Sequence, residues 1–224
     1  MTSALDALAQ ASAVIFDVDG TLVDSVDFHA EAWQRTFAAF GIDTPVAAIR
    51  SQIGKGGDQL MPVFLPADLI DRQGPQIEQH RKMLFEREYL DQLCGFSGVP
   101  DLFRHLRAAG KSLALGSSAS GDELEAYKAA AGIEGLTDAE TTSDDAERSK
   151  PHPDIFTAAL ERLKRPADQV IVVGDTPYDV EAAHKAGMKT IALLCGGFPE
   201  GDLRAAGAIG VFRDPADLLS RLRA

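Results

Sequence analysis

The hydrophobic pattern changes period within the first forty residues. Ala13 to Phe16 are four consecutive apolar residues that drive into Asp17, Val18 and Asp19, and the run predicts a buried strand over Ala13 to Val18. Beyond Asp24 the pattern turns helical. In "DFHAEAWQRTFAAFG" the residues Ala30, Trp33, Phe37 and Phe40 form one stripe that stops at Gly41, and "QIEQHRKMLFEREYLDQL" makes a second long helix. Between Asp24 and about Leu93 there is no further strand pattern. From about Phe96, beyond the turn-rich "CGFSGVP", short apolar runs alternate with helical patterns. The runs are "SLALG" (Ser112 to Gly116), "QVIVVG" (Gln169 to Gly174), "TIALL" (Thr190 to Leu194) and the weaker "AIGVF" (Ala208 to Phe212). Such alternation predicts an α/β fold, a doubly wound, Rossmann-like parallel sheet with helices on both faces. The first strand belongs to that sheet, so residues 1–24 and 96–224 form the core and 25–95 an inserted helical module. There is no internal repeat and no low-complexity segment.

Composition narrows the function classes. With 224 residues and 45% hydrophobic content, the chain can bury one large core, or one core and a smaller module. Thirty-four acidic against 22 basic residues give a net charge of −12, without a run of Lys or Arg. Nucleic acid and anionic membranes are therefore not expected partners. No apolar run approaches the roughly 18 residues of a membrane span, and "MTSALDALAQ" carries an acid and no base, so a cytoplasmic protein is expected. Cys94 and Cys195 have no metal or redox spacing and are expected to be reduced.

The candidate chemistry lies at the carboxyl ends of the strands, where open α/β sheets bind ligands. Asp17 and Asp19 are two residues apart, so on an extended chain their like charges point the same way and repel. "SLALG" leads into Ser117 and Ser118, "QVIVVG" into Asp175 and then Asp179, and "RSKPHPDIF" puts Lys150 before a proline that disfavours helix. Carboxylates gathered in one place are tolerable when they hold a hard divalent cation, and Mg²⁺ takes one or two carboxylates with waters and substrate phosphate. With Lys150 and Ser117, that ion would attract a phosphate that an acidic protein otherwise repels. One carboxylate can then act as nucleophile while its neighbour moves the proton.

These residues carry a family resemblance. "DVDGTLVDS", "LGSS", "SKPHPDIF" and "GDTPYD" resemble the four ordered motifs of the haloacid dehalogenase superfamily, in its phosphatase branch with an inserted helical cap domain, over nearly the whole chain. The resemblance implies a Mg²⁺-dependent phosphomonoester hydrolase acting on a small phosphorylated metabolite through an aspartyl-phosphate. It implies Asp17 as nucleophile, Asp19 as general acid/base, and Ser117 and Lys150 as phosphate holders, with Ser118 the nearest substitute. It further implies Asp17, Asp175 and the backbone carbonyl of Asp19 as metal ligands, and Asp179 as a residue orienting the metal site or Lys150.

Dehalogenases of this superfamily lack the second aspartate of the first motif, so Asp19 points to phosphate esters. At "HAEAW" the chain is similar to phosphoglycolate phosphatases and β-phosphoglucomutases alike, with His29 matching a mutase histidine. A mutase cap carries a lysine and an arginine where Ile53 and Gly57 stand here, so hydrolysis is expected over intramolecular transfer. Other readings remain beside these roles. Ser117 fits a helix cap, Asp179 an acid in a first helical turn, His29 either a substrate contact or a packing residue, and Lys55 in "IGKGGD" either a substrate contact or a solvated turn residue. His80, His105, His152 and His184 have no ligand spacing and are expected at the surface. A receiver-like phospho-acceptor module would use similar groups, but its acceptor lies on a middle strand of a chain about half this length. The particular substrate and the oligomeric state are left open.

Overall fold

A computed structural model describes residues 3–224; Met1 and Thr2, at the start of "MTSALDALAQ", lie outside the described residues. Six strands form one sheet: β1 (Ala13–Phe16), β2 (Ser112–Gly116), β3 (Ala139–Thr141), β4 (Val170–Gly174), β5 (Lys189–Leu193) and β6 (Gly210–Phe212). Their order is β3-β2-β1-β4-β5-β6 and every pairing is parallel. This is the doubly wound, Rossmann-like order, with its direction reversing beside β1. Phe16 is in register with Leu115 on one side and Val173 on the other, so the residues after β1, β2 and β4 leave the sheet at one edge.

Eleven α-helices complete the described chain. They are α1 (Ala4–Gln10), α2 (Val26–Ala39), α3 (Val46–Arg50), α4 (Gly57–Phe64), α5 (Ala67–Glu88), α6 (Val99–Ala108), α7 (Gly121–Ala131), α8 (Asp154–Leu163), α9 (Pro177–Lys185), α10 (Glu200–Ala206) and α11 (Pro215–Leu222). The strands are apolar at nearly every position because helices cover both faces. Val14, Phe16, Leu113, Leu115 and Val173 pack with residues of α6, α7 and α11 on one face. Ala13, Ile15, Ala114 and Val172 pack with α8 and α9 on the other. A third cluster, including Trp33, Phe37, Ile49, Leu60 and Ile77, lies wholly within α2 to α5 and their connections.

The chain leaves the sheet for those helices and returns beside its own exit. Val23 bridges Gly95 in antiparallel fashion, the Asp24 amide donates to the Cys94 carbonyl at 2.9 Å, and the Phe96 amide to the Leu22 carbonyl at 2.9 Å. The expected strand over residues 13–18 is two residues shorter, because beyond Asp17 the chain folds back: the Leu22 amide donates to the Val18 carbonyl at 2.8 Å. The second long helix begins at Ala67 rather than near Gln76 and runs through Pro75. Three elements have no clear pattern in the sequence: β3, α1 and α4. Both cysteines are free thiols. His80 and His184 are exposed, whereas His105 and His152 are half-buried. Among the described residues no helix is long and apolar enough to cross a membrane.

Candidate active site

β1 ends by delivering Asp17 to the sheet edge, where the side chain is 6% exposed and forms an ion pair with Lys150 Nζ. Thr21 Oγ1 donates to Asp17 Oδ2 at 3.2 Å and to Asp175 Oδ1 at 2.8 Å, joining the ends of β1 and β4. Burial pushes the Asp17 carboxyl up to about 7; Lys150 opposes that rise, and Asp179 and Asp19 reinforce it. Burial, with Asp17 and Asp179 nearby, likewise holds Asp175 well above the usual carboxylate range. Lys150 is 1% exposed. Burial would lower its pKa, but Asp17 and Asp179 outweigh that and raise it, so the ammonium stays charged.

Asp19 faces another way. Its Oδ1 accepts from Ser25 Oγ at 2.6 Å and lies 2.8 Å from His29 Nε2. Burial acts to raise its pKa, yet His29 and the Ser25 hydrogen bond prevail and hold it below the ordinary value. His29 is itself placed by packing: its ring stacks on Phe85 at 4.1 Å with an interplanar angle of 1°, and Nε2 lies 3.2 Å from the Tyr127 hydroxyl. The packing reading of His29 is therefore incomplete, because the same ring grips Asp19.

Asp179 sits at the third position of α9 and closes a capping box. Its Oδ2 accepts from the Thr176 amide at 3.0 Å and hydroxyl at 2.7 Å, while Thr176 Oγ1 accepts from the Asp179 amide. Its other oxygen, Oδ1, pairs with Lys150 Nζ at 2.9 Å. The cap and the ion pair are thus two ends of one side chain.

Asp17, Asp175 and Asp179 each offer a carboxylate oxygen within 4.8 Å of the others. Asp175 is fully buried, and its Oδ2 has no hydrogen-bond partner. Gly20, with φ of +76°, and Gly196 approach that carboxylate so closely that a Cβ on either would collide with Oδ2. Hard oxygen donors, an orphaned carboxylate oxygen and backbone close against it are what a Mg²⁺-sized cation requires, so the residues present fit the ion.

Asp17, Asp19 and Lys150 open onto a cavity of about 120 Å³ between the sheet edge and helices α2, α4, α5 and α7. Ser118 lines it, whereas Ser117 does not; Ser117 is 1% exposed and its Oγ accepts from the Ala119 amide at 3.1 Å. Lys55 also lines the cavity from the turn before α4, half-buried, donating to Gln52 Oε1 at 2.6 Å and lying 4.6 Å from the Tyr178 ring centre. Sequence reasoning placed Thr21 in the first motif without a contact of its own, and missed Ser25, Tyr127, Arg81 and Glu123. Ser25 lies at the end of "DVDGTLVDS", where a hydroxyl six residues after Asp19 is a readable signal. The last three come from distant helices with no such mark.

Fold and site together define an enzyme of the hydrolase class. The family model described as "Haloacid dehalogenase-like hydrolase" matches residues 14–193, and the chain belongs to that family. It is 32% identical to the phosphoglycolate phosphatase of Rhodospirillum rubrum, over 92% of this chain and 88% of the relative. It is 26% identical to the phosphorylated carbohydrates phosphatase of Thermotoga maritima, over 94% and 98%. Among solved structures, a hydrolase from Pseudomonas syringae superposes with a TM-score of 0.87 at 30% identity, over 95% of this chain and 98% of that one. The chain also matches 19% of the length of a larger Arabidopsis thaliana protein, SUPPRESSOR OF QUENCHING 1, chloroplastic, at 31% identity over 86% of this chain.

Proposed function

We propose that the protein is a Mg²⁺-dependent phosphatase that hydrolyses the monoester of a small phosphorylated metabolite through a phosphoaspartate at Asp17. The observation that carries this reading is the division of labour between two carboxylates two residues apart. Asp17 is bound to Lys150 at the mouth of the cavity, and Asp19 is turned toward Ser25 and His29. The names of the curated relatives support phosphate esters as the substrate class.

An Asp17 oxygen attacks phosphorus, and the ester P–O bond breaks with its electron pair leaving on the alcohol oxygen. Asp19, ionised in the free enzyme because His29 and Ser25 hold its pKa low, takes up a proton through its contact with His29 and gives it to that oxygen. Water then attacks the phosphoaspartate, Asp19 takes a proton from it, and the P–O bond to Asp17 breaks to release inorganic phosphate. Lys150 and the hydroxyl or amide groups at Ser117 and Ser118 hold the phosphoryl oxygens, and Asp179 fixes Lys150 from behind. Asp17, Asp175 and the Asp19 carbonyl would hold the Mg²⁺, which when bound supplies positive charge to the phosphoryl group. Residues 25–95 serve as a cap that closes the cavity over the 1–24 and 96–224 core and excludes competing water.

Purified protein incubated with phosphosugars, phosphoglycolate and nucleotides, with and without Mg²⁺, should release phosphate from some of them only when the ion is present. Silence on every ester, with Asp17 phosphorylated and stable, would replace this reading with that of a phospho-acceptor module.

A further inference from the structure

The cavity wall contributed by α5 and α7 has no part in the phosphoryl chemistry, yet it holds two charged groups with unmet hydrogen-bonding capacity. Glu123 is 3% exposed. Its Oε2 accepts from the Ser120 amide at 2.9 Å and hydroxyl at 3.0 Å, capping α7, while Oε1 has no hydrogen-bond partner. The nearest cation is Arg81 on α5, whose Nη1 stands 3.7 Å away, too long for a hydrogen bond. Arg81 Nε is also buried and unpartnered, and its guanidinium lies 5.8 Å from the Trp33 ring centre. All three side chains line the cavity that Asp17 and Lys150 enter. One orphan acceptor and one orphan donor thus belong to the two partners of a slightly open ion pair, and leaving such groups unsatisfied is costly.

We infer that Arg81 and Glu123 recognise a hydroxyl group on the alcohol half of the substrate, which makes the substrate the monophosphate of an uncharged polyhydroxylated compound, a sugar or sugar alcohol. This rests on the phosphatase reading. A hydroxyl donates once and accepts twice, so a single group satisfies both orphans. A carboxylate or second phosphate would accept from Arg81 but set its charge against Glu123 in a poorly solvated place. Lys55, a further cation lining the cavity, is already committed to Gln52 and the Tyr178 face. The Trp33 ring offers an apolar surface for the carbon skeleton of a sugar.

The test compares kcat/KM for glucose 6-phosphate, ribose 5-phosphate and glycerol 3-phosphate with that for 2-phosphoglycolate. p-Nitrophenyl phosphate, which carries neither hydroxyl nor carboxylate, is the common reference. At least one of the polyol esters should exceed phosphoglycolate by about tenfold or more, a difference of about 1.4 kcal/mol. Glu123→Gln preserves an oxygen for the helix cap but removes the charge, and the polyol-to-glycolate ratio should fall by about tenfold. If that variant does not fold, Arg81→Gln is expected to lower the same ratio by weakening the polyol arm. Hydrolysis of p-nitrophenyl phosphate with phosphoglycolate equal or preferred among the esters would overturn the inference while leaving the phosphatase reading standing. So would an unchanged ratio in a folded variant. Absence of phosphate release from all five compounds would overturn both.

Discussion

Lys150 is clamped between Asp17 and Asp179, all three nearly without solvent, so the removal of the cation leaves two buried carboxylates facing each other. Lys150→Met should destabilise the protein by about 3–5 kcal/mol near pH 8. The loss should shrink at pH 5, where the carboxylates can take up protons; denaturant melts at the two values check it, and an equal loss at both would contradict it. Asp17 makes a related statement in the wild type. Its folded pKa, about 7, lies above the ordinary 3.8, so between those values the folded state holds a proton that the unfolded chain has released. Stability of the chelator-treated protein should therefore fall as pH rises from about 4 toward 7; Asp19, shifted the other way, acts only below that window. A metal-free stability curve that rises over this range would refute the assignment. Asp17→Asn should leave the protein folded and abolish phosphate release, and activity within about tenfold of wild type would remove Asp17 from the nucleophile's role. Asp175→Asn should melt with EDTA at the wild-type temperature or above. With Mg²⁺ at about a hundredfold excess over Kd it should lose most of a stabilisation of about 2.7 kcal/mol.

The elements that carry the site do so through their ends. α7 and α9 both open with a capping box, and in each the acid of the box, Glu123 or Asp179, also faces the cation beside the cavity. The turn after β1 depends on Gly20, whose positive φ and lack of Cβ let the backbone lie against Asp175. Gly20→Ala keeps every catalytic side chain yet should push Asp175 aside. Its melting temperature should no longer respond to Mg²⁺, and phosphate release should drop with it; a full Mg²⁺ response would show that the turn tolerates the methyl group. Much of this layer is legible in the sequence. β1, β2, β4 and β5 are buried on both faces and so read as apolar runs, and β1, β2 and β4 hand a polar residue to the same edge. β3 is not legible, since three residues at the sheet margin, two of them half-buried, make no pattern. α5 reads short because Gly74 and Pro75 look like a break, whereas packing of Ile70 and Ile77 in the third cluster carries the helix through them. The acids and Lys150 stand out because their motifs are contiguous. Tyr127, Arg81 and Glu123 do not, because only the folded chain brings α5 and α7 to one cavity.

For the molecule as a whole, the cavity lies between the sheet edge and the helical segment, so the choice between hydrolysis and transfer belongs to both. Ile53 and Gly57 line it, and neither side chain carries a charge that could hold the second phosphate of a bisphosphate intermediate. Given a β-phosphohexose, the protein should release inorganic phosphate without a bisphosphate activator; accumulation of the isomeric 6-phosphate in its place would make it a mutase. The paired crossing at Val23 and Gly95 bears on something else. Because the outgoing and returning chains leave the sheet side by side, tied by the hydrogen bonds from Asp24 to Cys94 and from Phe96 to Leu22, the sheet meets the helical segment as though it were a single hairpin. Whatever is spliced in beyond that junction inherits ends already at the right separation. A foreign helical insert of different length or shape grafted there should therefore leave the sheet edge that carries Asp17, Lys150 and Asp175 with its wiring unchanged.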